Sequence, residues 1–329
     1  MAGMRIGSLC SGAGGLDMAV EEVFGATTVW HCEINDAASK VLALRWPGVP
    51  NYRDLTATHW GAVEPIDILT GGYPCQPFSH AGKRKGTDDE RHIWPFVRKA
   101  IRDLRPRYTF MENVAGHRSL GFDSVLADLA EDRMDVRWVS LRAADVGAAH
   151  SRERLFMLVT DSSSSVVGQQ ECVSVEPACG SASESGERAG ADTNCGDDAA
   201  DTASAGQGVG VRPGRVSHEP RGSYRFHPSG TTSTRHSIND YGPFDAAVRQ
   251  WESVSGFVAP APAEITENGR VMVSPAFAEW LMGWTPGWVT AVPGLTTEEQ
   301  LKICGNGVVP QAAEAALRYL LSVDCGGAG

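Results

Sequence analysis

Apolar and polar positions alternate with two different periods over the first 160 residues. Arg5 to Leu9 is a short strand, and Cys10 to Gly15 is a glycine turn. Leu16, Ala19, Val20, Val23 and Phe24 then fall at i, i+3, i+4, i+7 and i+8, one face of a helix. Thr27 to Glu33 reads as a second strand. Asn35 is placed to cap a helix reaching Arg45, with Ala38, Val41 and Leu42 inward. Ile66 to Thr70 is a buried strand that runs into the loop Gly71 to Lys85. A helix over Asp88 to Leu104, a strand over Tyr108 to Glu112 and a helix over Phe122 to Leu129 follow. Val136 to Leu141 and Leu155 to Val159 read as two more strands. Strands alternating with helices predict an α/β fold, and strand, glycine turn, helix predicts a nucleotide-binding unit at its start.

At Asp161 the pattern stops. Asp161 to Gly210 is rich in Ser, Gly, Ala and Asp with almost no aromatics, too little apolar area to fold tightly. It reads as a flexible insertion. Val211 to Arg249 interleaves arginine with Tyr224, Phe226, His227, Tyr241 and Phe244, a composition that suits nucleic acid or a small domain's own core. Trp251, Phe277, Trp280, Met282, Trp284 and Trp288 supply apolar packing. Gly305 to Pro310 reads as a tight turn, and Pro310 suits the first position of a helix to about Leu321.

The formal net charge of −11 argues against a nucleic-acid partner until its distribution is considered. Thr160 to Gly210 holds nine acids and one base, whereas Val211 to Arg249 holds six arginines against three acids. The acidity is therefore mostly that of one segment. Eight scattered cysteines form no C-x-x-C pair, so no metal site is expected. No run approaches a membrane span and no signal region follows the N-terminus, which predicts a reducing cytoplasm and free thiols.

Candidate chemistry collects at predicted strand ends, the edge where open α/β sheets bind ligands. Gly12, Gly14 and Gly15 let the backbone approach a ligand closely at a helix N-terminus. Glu33 follows Gly12 by 21 residues, where an acid accepts from ribose hydroxyls. Asp17 replaces the third glycine of the NAD fingerprint, which points away from NAD and toward other adenosine cofactors. Asp54 can meet an adenine amino group or cap a turn. Cys75, held between Pro74 and Pro77 with Lys83, Arg84 and Lys85 nearby, reads as a thiolate nucleophile or as a small buried hydrophobe. Glu112 ends another strand. Arg152 and Arg154, at i and i+2 in an extended stretch, share a side and can grip a phosphate, a carbonyl or a carboxylate.

The ordered set Ser11-Gly12-Ala13-Gly14-Gly15, Glu33, Asp54, Pro74-Cys75-Gln76, Glu112-Asn113-Val114, Arg152-Glu153-Arg154 and Gly305-Asn306-Gly307-Val308-Val309 resembles the DNA cytosine-5 methyltransferases. The resemblance covers residues 5–160 and 270–322. It implies a Rossmann-like S-adenosylmethionine-dependent methyltransferase domain on a mostly parallel sheet, with a small target-recognition domain. Residues 1–160 would be the catalytic and cofactor-binding domain, and 161–269 the recognition region, with 161–210 its flexible segment. Residues 270–329 would return to complete the catalytic domain.

The resemblance also implies roles. Cys75 would add to C6 of a flipped-out cytosine in DNA. Glu112 would be the protonated carboxyl at N3, and Arg154 with Arg152 would hold the base. S-adenosyl-L-methionine would give its methyl to C5, bound by Gly12, Gly14, Gly15, Glu33, Asp54 and Asn306. Gln76, Ser79 and Asn113 would contact the substrate. The sequence assigns no residue to removal of the C5 proton. The expected setting is a monomer acting on double-stranded DNA in a bacterial cell or phage-infected host, with a separate restriction endonuclease as the partner of a restriction-modification pair. Rival readings are an RNA or tRNA cytosine-5 methyltransferase, a DNA-binding regulator with an idle methyltransferase domain, and an NAD-dependent oxidoreductase, which leaves PCQ and ENV unexplained. Three positions depart from the family pattern. Cys10 stands where Phe is usual, His150 where Gln is usual, and Ser274 to Glu279 where a motif rich in Arg and Glu organises target recognition.

Overall fold

The computed structural model describes residues 3–74, 93–119, 121–162, 241–265 and 269–323. Six strands form one sheet: β1 (Arg5–Leu9), β2 (Thr27–Cys32), β3 (Ile68–Gly71), β4 (Tyr108–Val114), β5 (Met134–Arg142) and β6 (Glu153–Asp161). Their order is β2-β1-β3-β4-β6-β5. Neighbours from β2 to β4 are parallel, and β6 runs antiparallel to both β4 and β5. The chain leaves β1 toward β2 and returns to β3 on its other side. That reversal opens a crevice at the carboxyl ends of β1 and β3.

The helices form where the pattern places them. α1 (Gly15–Phe24) buries Leu16, Ala19 and Val20, and both ends are glycines in the left-handed region, Gly14 and Gly25. α2 (Asp36–Arg45) is capped by Asn35, whose side chain accepts from the Ala38 N–H at 2.9 Å. α3 (Trp94–Leu104) begins with Pro95 in its first turn. The residues expected to start it earlier, 88–92, lie outside the described residues. α4 (Phe122–Glu131) is tied to α3 by Arg98, which bonds Asp128, Glu131 and Asp132.

After residue 240 the chain forms α5 (Asp245–Ser255), the hairpin β7 (Ala263–Ile265) with β8 (Val271–Val273), α6 (Pro275–Leu281), α7 (Thr297–Asn306) and α8 (Pro310–Ser322). α7 corrects the expected turn at 305–310. Thr296 and Glu299 form a reciprocal capping box, and the helix runs through Gly305 and Asn306. The turn is thereby shortened to Gly307–Val309.

All described residues belong to one compact unit, residues 1–165 with 215–329. This includes 241–265, assigned above to the recognition region. Val248 and Trp251 of α5 sit in the same apolar cluster as α1 and α8, and Trp251 donates its indole N–H to Trp280 O at 2.9 Å. A second cluster, with Trp30, Trp60 and Trp94, covers the opposite face of the sheet. The sheet is thus packed on both sides, and its carboxyl edge is fixed from below.

Candidate active site

Four strand ends meet at that edge. β4 presents Glu112, which lies opposite Phe156 in the ladder, while Arg154 lies opposite Val114. Glu112 and Arg154 are therefore diagonal neighbours on one face. The Arg154 Nε reaches Glu112 Oε1 at 2.7 Å. Burial nevertheless pushes the Glu112 carboxyl up to about 7, against the pull of Arg154 and Arg152. The desolvation of a nearly enclosed carboxylate outweighs two guanidinium charges. Near neutral pH Glu112 can hold or release a proton.

The loop leaving β3 passes directly over this pair. A Cβ at Gly72 would lie 3.4 Å from Glu112 Oε2, in van der Waals contact with the carboxyl. The buried Asn113 donates from Nδ2 to Tyr73 O at 2.9 Å. Tyr73 in turn meets His117 Nε2 with its hydroxyl at 2.9 Å. The Glu-Asn pair thus serves two purposes: Glu112 faces the crevice and Asn113 ties down the loop that leads into Pro74. Asn113, expected at the substrate, bonds the backbone of this loop. Cys75, Gln76, Ser79 and Lys83 to Lys85 lie outside the described residues.

The two arginines part company. Arg154 stays with Glu112, whereas Arg152 donates from Nη1 to Gly305 O at 2.6 Å and from Nη2 to Gly307 O at 2.8 Å. Both hands of its fork hold the segment before α8. Burial and the charge of Arg154 lower its pKa to about 10. His150, where Gln is usual, ties two segments together. Its Nε2 meets Leu281 O at 2.9 Å and its Nδ1 accepts from the Arg152 N–H. Burial holds its pKa below the usual histidine range, which keeps Nδ1 free to accept.

The glycine turn and Glu33 come together at the ends of β1 and β2. Gly12 N donates to Glu33 Oε2 at 2.8 Å, and Asn35 N donates to Oε1 at 2.8 Å. A carboxylate has about four acceptor positions, so two remain for a ligand. Gly14 has φ 79°, and a side chain there would collide with Trp46. A side chain on Gly15 would collide with Val308 O, which places the turn before α8 against the glycine turn. Asn306 ends α7 with its residue exposed. Cys10, with φ 49°, begins the turn and bonds Cys32 O through its N–H at 2.8 Å. Burial pushes its thiol up to about 12, so it is no nucleophile. Asp54 caps its own turn, accepting from Thr56 N and Oγ1, and also lines an open pocket of about 290 Å³ with Tyr52, Thr58 and His59.

A buried polar cluster beneath the turn was not anticipated. Asp17 accepts from the hydroxyls of Ser8 and Thr70 and lies 3.9 Å from His31 Nδ1. Its visible sign in the sequence is a lone acid on the otherwise apolar start of α1. Among the described residues, no group of His, Cys, Asp and Glu is arranged to hold a metal ion, and no helix is long and apolar enough to cross a membrane.

A family model described as C-5 cytosine-specific DNA methylase matches residues 4–203 of the 329, more than half of the chain. The chain is 32% identical over 164 residues to the Type II methyltransferase M.HhaI of Haemophilus parahaemolyticus, covering 48% of this chain and 49% of that protein. It is 32% identical over 155 residues to M.NgoMIV of Neisseria gonorrhoeae, covering 46% and 49%. The matched stretch thus spans about half the length of these curated relatives. Among solved structures, Spodoptera frugiperda DNMT2 superposes with a TM-score of 0.58 at 14% identity, covering 97% of this chain and 99% of that one. A putative DNA modification methyltransferase encoded within an E. coli prophage gives 0.54 at 18% identity, covering 97% and 99%. These structures share the fold.

Proposed function

The chain belongs to the C-5 cytosine-specific DNA methylases, and we propose that it methylates C5 of cytosine in DNA through a covalent adduct on Cys75. The observation that carries this reading is the buried Glu112–Arg154 pair beneath the loop that leads to Cys75. Cytosine C5 is a poor nucleophile within an aromatic ring. Addition of the Cys75 thiolate to C6 forms an S–C6 bond and breaks that aromaticity. Electron density moves toward N3, and Glu112, with its pKa near 7, gives N3 its proton. Arg154 holds the base and keeps the resulting carboxylate paired. S-adenosyl-L-methionine, when bound, supplies the electrophilic methyl group that C5 takes up. Loss of the C5 proton expels Cys75 as thiolate, and Glu112 recovers its proton from N3. The target base must leave the duplex to reach this edge of the sheet.

The cofactor fits the residues of the glycine turn. Gly12, Gly14 and Gly15 would line the methionine part, Glu33 would use its two remaining acceptor positions for the ribose, and Asp54 would meet the adenine amino group. Asn306 would approach from the end of α7. Arg152 would act on the base indirectly, by holding Gly305 and Gly307. We assign target recognition to the region within 161–269, with 270–329 completing the catalytic domain. The activity suits one half of a restriction-modification pair or a phage's protection of its genome. It also suits a cytoplasmic monomer on double-stranded DNA, with a separate restriction endonuclease as partner.

The test uses DNA of broad sequence in which 5-fluorocytosine replaces cytosine. Fluorine cannot leave C5 as a proton does, so the adduct should persist with S-adenosylmethionine present. A slower band on a denaturing gel, absent in Cys75→Ala, is expected. A band formed with RNA but with no DNA would overturn the DNA reading. Cofactor binding without any adduct on either would leave an idle domain.

A further inference from the structure

α6 begins in the stretch Ser274 to Glu279 that departs from the family's Arg- and Glu-rich motif, and the sequence leaves that stretch without a task. Its single acid, Glu279, is 2% exposed. Among the described residues no cation pairs with it. Its oxygens instead accept from the backbone N–H groups of Gly287 at 2.7 Å, Val289, and Thr290 at 2.9 Å, and from the Thr290 hydroxyl at 3.0 Å. Four donors on one buried carboxylate fix the loop 287–290 to α6.

That loop reaches across the molecule to the glycine turn. Trp288 donates its indole N–H to Ala13 O at 2.9 Å, a contact spanning 275 residues of sequence. α2 grips the loop from the other side: Arg45 donates from Nε to Trp288 O at 2.9 Å and from Nη2 to Gly287 O. The Arg45 guanidinium also lies 5.0 Å over the Trp288 ring. Trp46 meets Trp288 edge-on at 5.6 Å and closes against Gly14.

We propose that Glu279 and Trp288 are positioning residues for the cofactor turn. Glu279 fixes the loop 287–290, and the Trp288 indole N–H fixes the Ala13 carbonyl. The Gly12 amide is thereby held on Glu33 in the binding geometry before any ligand arrives. This segment of the chain serves the cofactor turn, where the family's motif serves target recognition. The inference rests on the reading of Gly12 to Gly15 and Glu33 as the cofactor site.

Trp288→Phe keeps an aromatic ring but removes the donor, and Glu279→Gln replaces one acceptor oxygen with a donor. The measurement is S-adenosylhomocysteine binding by calorimetry, DNA affinity, and amide hydrogen exchange at Gly12 to Gly15 in the ligand-free protein. Losing one hydrogen bond should weaken cofactor binding about fivefold in Trp288→Phe, with a larger loss in Glu279→Gln. Exchange at Gly12 to Gly15 should accelerate in both, while DNA affinity holds. Unchanged cofactor affinity and exchange in Trp288→Phe would overturn the inference. So would loss of DNA affinity with the cofactor site intact, which would return the segment to target recognition. Failure of the unaltered protein to bind S-adenosylhomocysteine would overturn the cofactor reading instead, and the exchange rates would still decide whether Trp288 braces the turn.

Discussion

Glu112 shows how one residue takes its chemistry from where the fold places it. A carboxyl on a β-strand end is ordinarily ionised at neutral pH. Here burial raises its pKa to about 7 even with Arg154 at 2.7 Å. The acid that the proposed protonation of N3 calls for is thus available near neutrality and is lost as pH rises through that value. The rate should therefore fall on the alkaline side, with kcat/KM bending near pH 7 for the free enzyme. Glu112→Gln can still donate a hydrogen bond but cannot transfer a proton. It should lose roughly a hundredfold or more in kcat, and the alkaline bend assigned to Glu112 should vanish. A bend that survives the substitution would assign that ionisation to another group. Glu112 was legible because an acid at a strand end, followed by Asn-Val, belongs to an ordered set of motifs. The division of labour with Asn113 was not, because whether an amide faces a ligand or its own loop depends on where Tyr73 lies.

At the scale of elements, the strands and helices around the sheet were legible from periodicity, and their ends moved by a few residues. Long-range attachments were not. The i and i+2 spacing of Arg152 and Arg154 predicts both on one side of an extended stretch, yet one goes to Glu112 and the other, just before β6, to Gly305 and Gly307. That divergence depends on α7 and the residue after it delivering two carbonyls, and the helix end was hidden by a glycine pair that resembled a turn. Arg152 consequently joins the start of β6 to the segment beside the glycine turn. Arg152→Lys retains the charge but has no planar fork to span two carbonyls. It should cost about 1–2 kcal/mol in denaturant unfolding and raise amide exchange at Gly307 to Val309. Protection that stays at the unaltered level would mean the turn is held without the fork.

At the scale of the whole molecule, one buried carboxyl on α1 bonds two of the four parallel strands and lies beside a third. Asp17 is 1% exposed and receives the hydroxyls of Ser8 from β1 and Thr70 from β3, with His31 of β2 beside it. Burial raises Asp17 to about 7 and lowers His31 to about 4. Around neutral pH the two therefore do not form an ion pair, despite lying 3.9 Å apart. Burial is the largest influence on Asp17; the two hydroxyls oppose it and Glu21 adds to it. The folded protein holds this proton more tightly than the unfolded chain does. The resulting stability is fully present below about pH 4 and is lost as pH rises through about 7. Asp17→Asn has no proton to lose, and its carbonyl can still accept from either hydroxyl. Relative to the unaltered protein it should gain between pH 5 and pH 8, by an amount on the order of 2 kcal/mol. Urea unfolding at the two pH values measures this directly. A difference that stays constant with pH would show that Asp17 is ionised throughout, held by its two hydroxyls alone. A gain confined to high pH would show that the centre beneath the cofactor turn favours its protonated form, so that alkaline conditions weaken the fold and Glu112's acid function together.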